Sequence, residues 1–268
     1  MLFAQASCLL ALTAVVAAAP FEKVEKRWGG WGGGWGGNGR PWWSPSAASS
    51  YLEFGKRYPG SNTAAPTCDL SQVTLPTAST PLPAPAAGLS LSHVAIGRGT
   101  QNYTCDLANA TATPVAIGAV ATLFNVSCVA ADSPDLLQKL PSIALDLPVP
   151  STANEDSAAY QDMSGHHFFT DSSTPFFDMD TSLHSYGTGA FKKTNTSAAP
   201  AGAPLGQYGV GNGSVAWLKL DAKSSDGQIF QEVYRTLTAG GNPGNYCTGM
   251  PAAFEVQYAA AYFLFEKP

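Results

Sequence analysis

Charge is scarce in this chain of 268 residues: Asp, Glu, Lys and Arg make up 12% of it, and the net charge is −5. With only 14 Lys and Arg, it has no basic footprint for nucleic acid. Long apolar runs are missing as well. Past the N-terminus no segment approaches the roughly 18 apolar residues that a membrane-spanning helix needs, so no membrane span is expected. The C-terminal stretch YAAAYFLFEKP ends in charged residues and lacks the small-residue site and spacer of a lipid-anchor signal. Glutamate is scarce: past residue 60 it occurs only as Glu155, Glu232, Glu255 and Glu266, so a glycosidase-type carboxylate pair stays open but would draw on few Glu.

Several catalytic and cofactor motifs are also absent. Nicotinamide binding needs a strand, a G-x-G-x-x-G turn and a helix N-terminus that holds the pyrophosphate. GVGNGS (209–214) has the wrong glycine spacing, and GRGTQN (97–102) lacks the third glycine. Both lead into strand-like sequence, and GTGAFKK (187–193) lacks the spacing of a phosphate loop. No cofactor is therefore expected. There is no G-x-S-x-G elbow and no H-E-x-x-H or H-x-H pair. The cysteines show no C-x-x-C spacing, which argues against a structural zinc site.

What is present points to secretion. CLLALTAVVAAA (8–19) has the length of a signal-peptide core, with small residues Val16 and Ala18 placed for cleavage after Ala18. Residues 19–27 read as a propeptide ending in Lys26-Arg27, a dibasic pair of the kind cut by processing proteases. Lys56-Arg57 is a second such pair. Between them lies WGGWGGGWGGNGRPWW, and residues 28–67 as a whole are Gly-, Trp-, Ser- and Pro-rich with no helical or strand period, so disorder is expected there. Cleavage at both pairs would release a 28–57 peptide, and the chain would then be the precursor of that peptide. The Pro-rich passage 74–88 is expected to run extended.

Cys8 leaves with the signal. The four that remain, Cys68, Cys105, Cys128 and Cys247, suit two disulfides in an oxidising compartment. The favoured pairing is Cys105–Cys128, joining neighbouring strands, with Cys68–Cys247 tying the ends of the domain. Five Asn-X-Ser/Thr sequons, at Asn102, Asn109, Asn125, Asn195 and Asn212, exceed what chance supplies and suit a glycoprotein.

Strand patterns dominate residues 68–268. LSHVAIGRGTQNYTCDL (91–107) reads as two strands about Gly97 and Gly99, and PVAIGAVATLFNV (114–126) as another. SVAWLKLDA (214–222) and QIFQEVYRTLTA (228–239) form a hairpin about KSSDG. In 253–266, Phe254, Val256 and Tyr258 alternate with Glu255 and Gln257, as in a strand with one buried face. One short helix is predicted at SPDLLQKL (133–140), with Ser133 as N-cap, Pro134 in the first turn and Pro141 as the stop. The expected fold is all-β: an antiparallel sandwich or barrel with one short helix.

HVAIGRGTQNYTC (93–105), VAWLKL (215–220), VYRTLTAGGNPGNYC (233–247) and VQYAAAYFLF (256–265) together resemble a family of uncharacterised secreted fungal proteins with bacterial relatives. Members sometimes carry the label malate dehydrogenase. The resemblance implies a secreted β-rich domain over residues 68–268. The missing dinucleotide fingerprint does not support the dehydrogenase label.

The densest polar cluster is DMSGHHFFTDSSTPFFDMDTSLHSYGTG (162–189). It supplies His166, His167, His184, Asp178 and Asp180 as candidate catalytic or divalent-metal residues, and His93 is placed to join them from another strand. On a strand, His166 and His167 point to opposite faces, whereas Asp178 and Asp180 share one. Tyr103, Trp217, Tyr234, Tyr246, Tyr258 and Tyr262 are either a sugar-stacking platform or core aromatics, the latter being the usual fate in a β fold. The reading that emerges is a surface or cell-wall protein that binds polysaccharide or surface glycoproteins. The alternatives are an extracellular enzyme built on the His/Asp cluster and a peptide precursor.

Overall fold

The computed structural model describes residues 68–149, 151–153 and 155–268. The signal, propeptide, dibasic pairs and Trp-Gly segment lie outside the described residues. Eight antiparallel strands follow one another in chain order and close into a barrel: β1 (Ser90–Thr104), β2 (Val115–Asn125), β3 (Met163–Asp171), β4 (Thr174–Asp180), β5 (Ser185–Ser197), β6 (Trp217–Ala222), β7 (Phe230–Gly240) and β8 (Ala253–Glu266). Closure comes from β8 pairing with β1 along nearly its whole length, from Ser90↔Glu266 to Thr104↔Ala253. Among the described residues, three α-helices, α1 (Ser127–Asp132), α2 (Pro134–Asp146) and α3 (Ala158–Gln161), all fall between β2 and β3.

Residues 91–107 hold one strand rather than two. Gly97 and Gly99 do not break β1. They face the interior where a side chain would not fit: a Cβ on Gly97 would lie 2.5 Å from the Tyr262 ring, and one on Gly99 would lie 1.8 Å from the Val120 carbonyl oxygen. The G-x-G pattern therefore marks a close approach within a barrel wall.

Two apolar layers hold the molecule together. Inside, Ala95, Leu123, Phe177, Phe191, Val233, Tyr258 and Tyr262 fill the barrel. Outside, Leu137, Leu140, Ala144 and Leu145 of α2 pack on Val94, Ile96, Ala261 and Phe263. A strand covered on both faces needs apolar residues at every position. That is why residues 258–264 of β8 are buried without interruption, beyond the single buried face expected from its start.

The helix also departs from expectation. Ser133 stands at the N-cap position without a side-chain cap bond, and Pro134 opens the helix as expected. Pro141 does not end it. The ring costs one backbone hydrogen bond, yet the helix runs on to Asp146 because Ala144 and Leu145 are buried against the barrel. Arg98, pointing outward from β1, then caps its C-terminus. Its Nε donates to the Ala144 carbonyl (2.9 Å), and its Nη2 to the carbonyls of Leu145 (3.3 Å) and Leu147 (3.2 Å). A cation there also suits the negative end of the helix dipole.

The Pro-rich passage lies on the outer wall, with Leu75 and Leu82, and Val73 just before it, against the helix-side core. A buried ion pair fastens it. Lys219 Nζ lies 3.0 Å from Glu232 Oε1 and donates to the Ala84 carbonyl, while the Tyr234 hydroxyl donates to the Pro83 carbonyl at 2.9 Å.

The disulfides are Cys68–Cys128 and Cys105–Cys247, with Cα atoms 5.1 and 5.5 Å apart, which corrects the favoured pairing. Cys105 follows the end of β1 and Cys128 follows the end of β2, and these antiparallel strands end at opposite rims of the barrel. An 11-residue strand spans roughly 35 Å, far beyond disulfide reach. Cys247 precedes β8 at the rim where β1 ends, beside Cys105.

Candidate functional site at the His93 rim

Of the sequence-predicted residues, His93 and His184 are brought together. His93 sits near the start of β1, beside a register shift and opposite inward-facing Leu264 of β8, on the same face as Ala95. It is buried, and its Nε2 has no hydrogen-bond partner. Its ring lies 4.7 Å from that of Tyr186 on β5, which in turn stacks on His184 at 5.4 Å and 25°. His184 is presented by the β4–β5 turn. There the Thr181 hydroxyl accepts the backbone N–H groups of Leu183 (3.2 Å) and His184 (3.0 Å). Asn125 at the end of β2 bonds to Tyr186 and, through its backbone N–H, to the Asp162 carbonyl at 2.9 Å. Asp162 is exposed and close enough to His184 to interact with it by charge.

Burial, and then the neighbouring His184, push the His93 imidazole down to about 4. It is neutral at ordinary pH and offers a nitrogen to the rim. Burial also raises the Tyr186 phenol, against the Asn125 bond. The cluster can exchange hydrogen bonds and a proton with a bound polar group. Among the described residues, no three His, Cys, Asp or Glu side chains are grouped so as to hold a metal ion.

The other candidates are dispersed. His166 and His167 do point to opposite faces, since His166 is exposed and His167 is buried. His167 stacks on Phe177 at 4.3 Å, and its Nδ1–H donates to the Phe176 carbonyl at 3.0 Å. Burial pushes its imidazole down to about 4; the Phe176 bond opposes this and the Arg235 charge adds to it. His166 stands outside, directly across from Asp178. Asp180 organises the β4–β5 turn, accepting from the Ser185 hydroxyl (3.0 Å) and the Gly187 N–H (2.7 Å).

The aromatics do not assemble a platform. Tyr103, Trp217, Tyr234, Tyr258 and Tyr262 are buried, and only Tyr246 is exposed. Tyr186 and Asn125 join this rim without being candidates from the sequence pattern, Asn125 standing there only as a sequon; its Oδ1 accepts the Ser127 N–H at 2.9 Å. No spacing rule flags either residue, because their neighbours come from β1 and the β4–β5 turn.

Fold and interior together define a closed eight-stranded barrel filled by its own side chains. The chain belongs to the family described as "Protein of unknown function (DUF3455)", whose model matches residues 85–266. No curated protein and no solved structure matches it.

Proposed function

We propose that this protein is a secreted glycoprotein whose barrel acts by binding at a cell surface or cell wall, through the uncovered side of the sheet. The observation that carries this reading is the contrast in cover. On the outer face of β2 to β4, Val115, Ile117 and Val120 are 61%, 38% and 51% exposed. The Phe168 and Phe176 rings lie 5.3 Å apart, next to the Ala121↔His167 pair and so on the Val120 part of that face. His166 and Asp178 flank these rings with polar groups. Apolar rings edged by hydrogen-bonding groups suit stacking on sugar faces. Two disulfides and the exposed sequons at Asn109, Asn195 and Asn212 support an extracellular setting.

Retention of the purified protein on chitin, glucan and mannan tests the proposal. Retention on at least one polymer is expected, and it should fall when Phe168 and Phe176 are both changed to Ala. A protein that binds none of them and diffuses freely into the medium sinks it. A second reading, an extracellular enzyme, draws on the meeting of His93 and His184 around Tyr186. Its test is an activity screen in which His93→Gln abolishes turnover while the fold is kept.

A further inference from the structure

The barrel interior holds a cation that its own walls do not neutralise. Arg235 of β7 lies opposite Leu218 of β6 and Tyr262 of β8 and so faces inward. It is only 8% exposed. Its Nη2 donates to the Ala216 carbonyl at 2.8 Å, and its Nε has no hydrogen-bond partner. The single ion pair among the described residues, Lys219–Glu232, belongs to the outer side of the wall, so no carboxylate there answers Arg235.

The surrounding groups carry no charge: they are phenol hydroxyls, which both donate and accept, and a carboxamide. The Tyr258 and Tyr262 hydroxyls are 2.9 Å apart. Burial raises both phenols more strongly than the Arg235 charge lowers them, so they remain O–H groups and do not serve as counter-ions. Gln101, inward-facing on β1 and 7% exposed, has a carboxamide nitrogen without a partner beside Tyr258. A buried guanidinium is strongly disfavoured unless something negative pairs with it. A positive charge ringed by N–H and O–H groups is the complement of an anion. The interior is closely filled, with the Tyr262 ring against Gly97, so only a very small ligand could be admitted.

We propose that Arg235, Gln101 and the Tyr258–Tyr262 hydroxyl pair form an internal site for a small monovalent anion, a halide or a short carboxylate. The anion neutralises the guanidinium, accepts from Arg235 Nε and Gln101 Nε2, and stabilises the closed barrel by mass action. Bulkier ligands are excluded by the filled interior.

The test is thermal unfolding of the full chain in gluconate at constant ionic strength, with chloride, bromide or formate replacing gluconate stepwise. A saturable rise in Tm is expected for the wild type, and which ion saturates lowest separates halide from carboxylate. Arg235→Met should abolish the rise. Gln101→Leu keeps the charge, removes one donor, and should weaken the apparent affinity about tenfold. A wild-type Tm that does not respond, or that rises without saturation in parallel with Arg235→Met, overturns the proposal and leaves internal water as the partner of Arg235. If Arg235→Met does not fold, bromide-soaked crystals decide. An anomalous peak within hydrogen-bond distance of Arg235 Nε supports the site, and its absence at saturating bromide refutes it.

Discussion

The two sides of the barrel wall are built from the same kind of strand yet obey different sequence rules. On the side formed by β1, β7 and β8, α2 and the Pro-rich passage cover the outer face, and β8 is apolar at every position from Tyr258 to Phe265. On the side formed by β2 to β5, no described helix packs on the outer face, and inward Phe177 and Met179 alternate with outward Asp178 and Asp180. The difference shows that the cover on a strand, rather than the strand itself, sets its hydrophobic pattern.

The contrast has measurable consequences. Phe263, fully buried under α2, should cost about 3–5 kcal/mol of stability when changed to Ala, seen as a drop in the denaturant midpoint. A loss below 1 kcal/mol would mean that α2 does not seal that wall. Lys219→Met strands the buried Glu232 carboxylate and should cost nearly as much, about 3 kcal/mol or more. It should also loosen the passage around Ala84, which faster amide exchange there would report.

The interior adds a pH dependence. His93 and His167 have folded values near 4, below the unfolded value of about 6.5, so the unfolded chain binds more protons between those limits. Their contribution is intact above about pH 6.5 and is lost as pH falls toward 4, on the order of 3 kcal/mol for each group. Urea midpoints at pH 4.5 and 7 should differ accordingly, and His167→Phe should roughly halve the difference, leaving the His93 part. The smallest effect belongs to the wall on which no described helix packs. Val120→Ser should leave stability within about 0.5 kcal/mol, and a larger loss would show that this face is covered in solution.

Legibility in the sequence followed the same division. β1, β2, β6, β7 and β8 were visible because their apolar content is high. The segment that forms β3 to β5 read as a polar cluster, because its outward positions are His166, Asp178, Lys192, Lys193 and Asn195. The opposed faces of His166 and His167 followed from strand period alone. The His93–Tyr186–His184 grouping did not, since strands far apart in sequence build one rim.

The sequence by itself determined the β class, the opposite facing of adjacent residues and the start of α2 at Pro134, because each depends on local period or local backbone chemistry. Only the tertiary structure decided that the sheet closes into a barrel, that Pro141 stays inside a helix, and that Cys68 joins Cys128 while Cys105 joins Cys247. Those outcomes depend on which strand ends share a rim and which faces are covered, and strand order and packing set both.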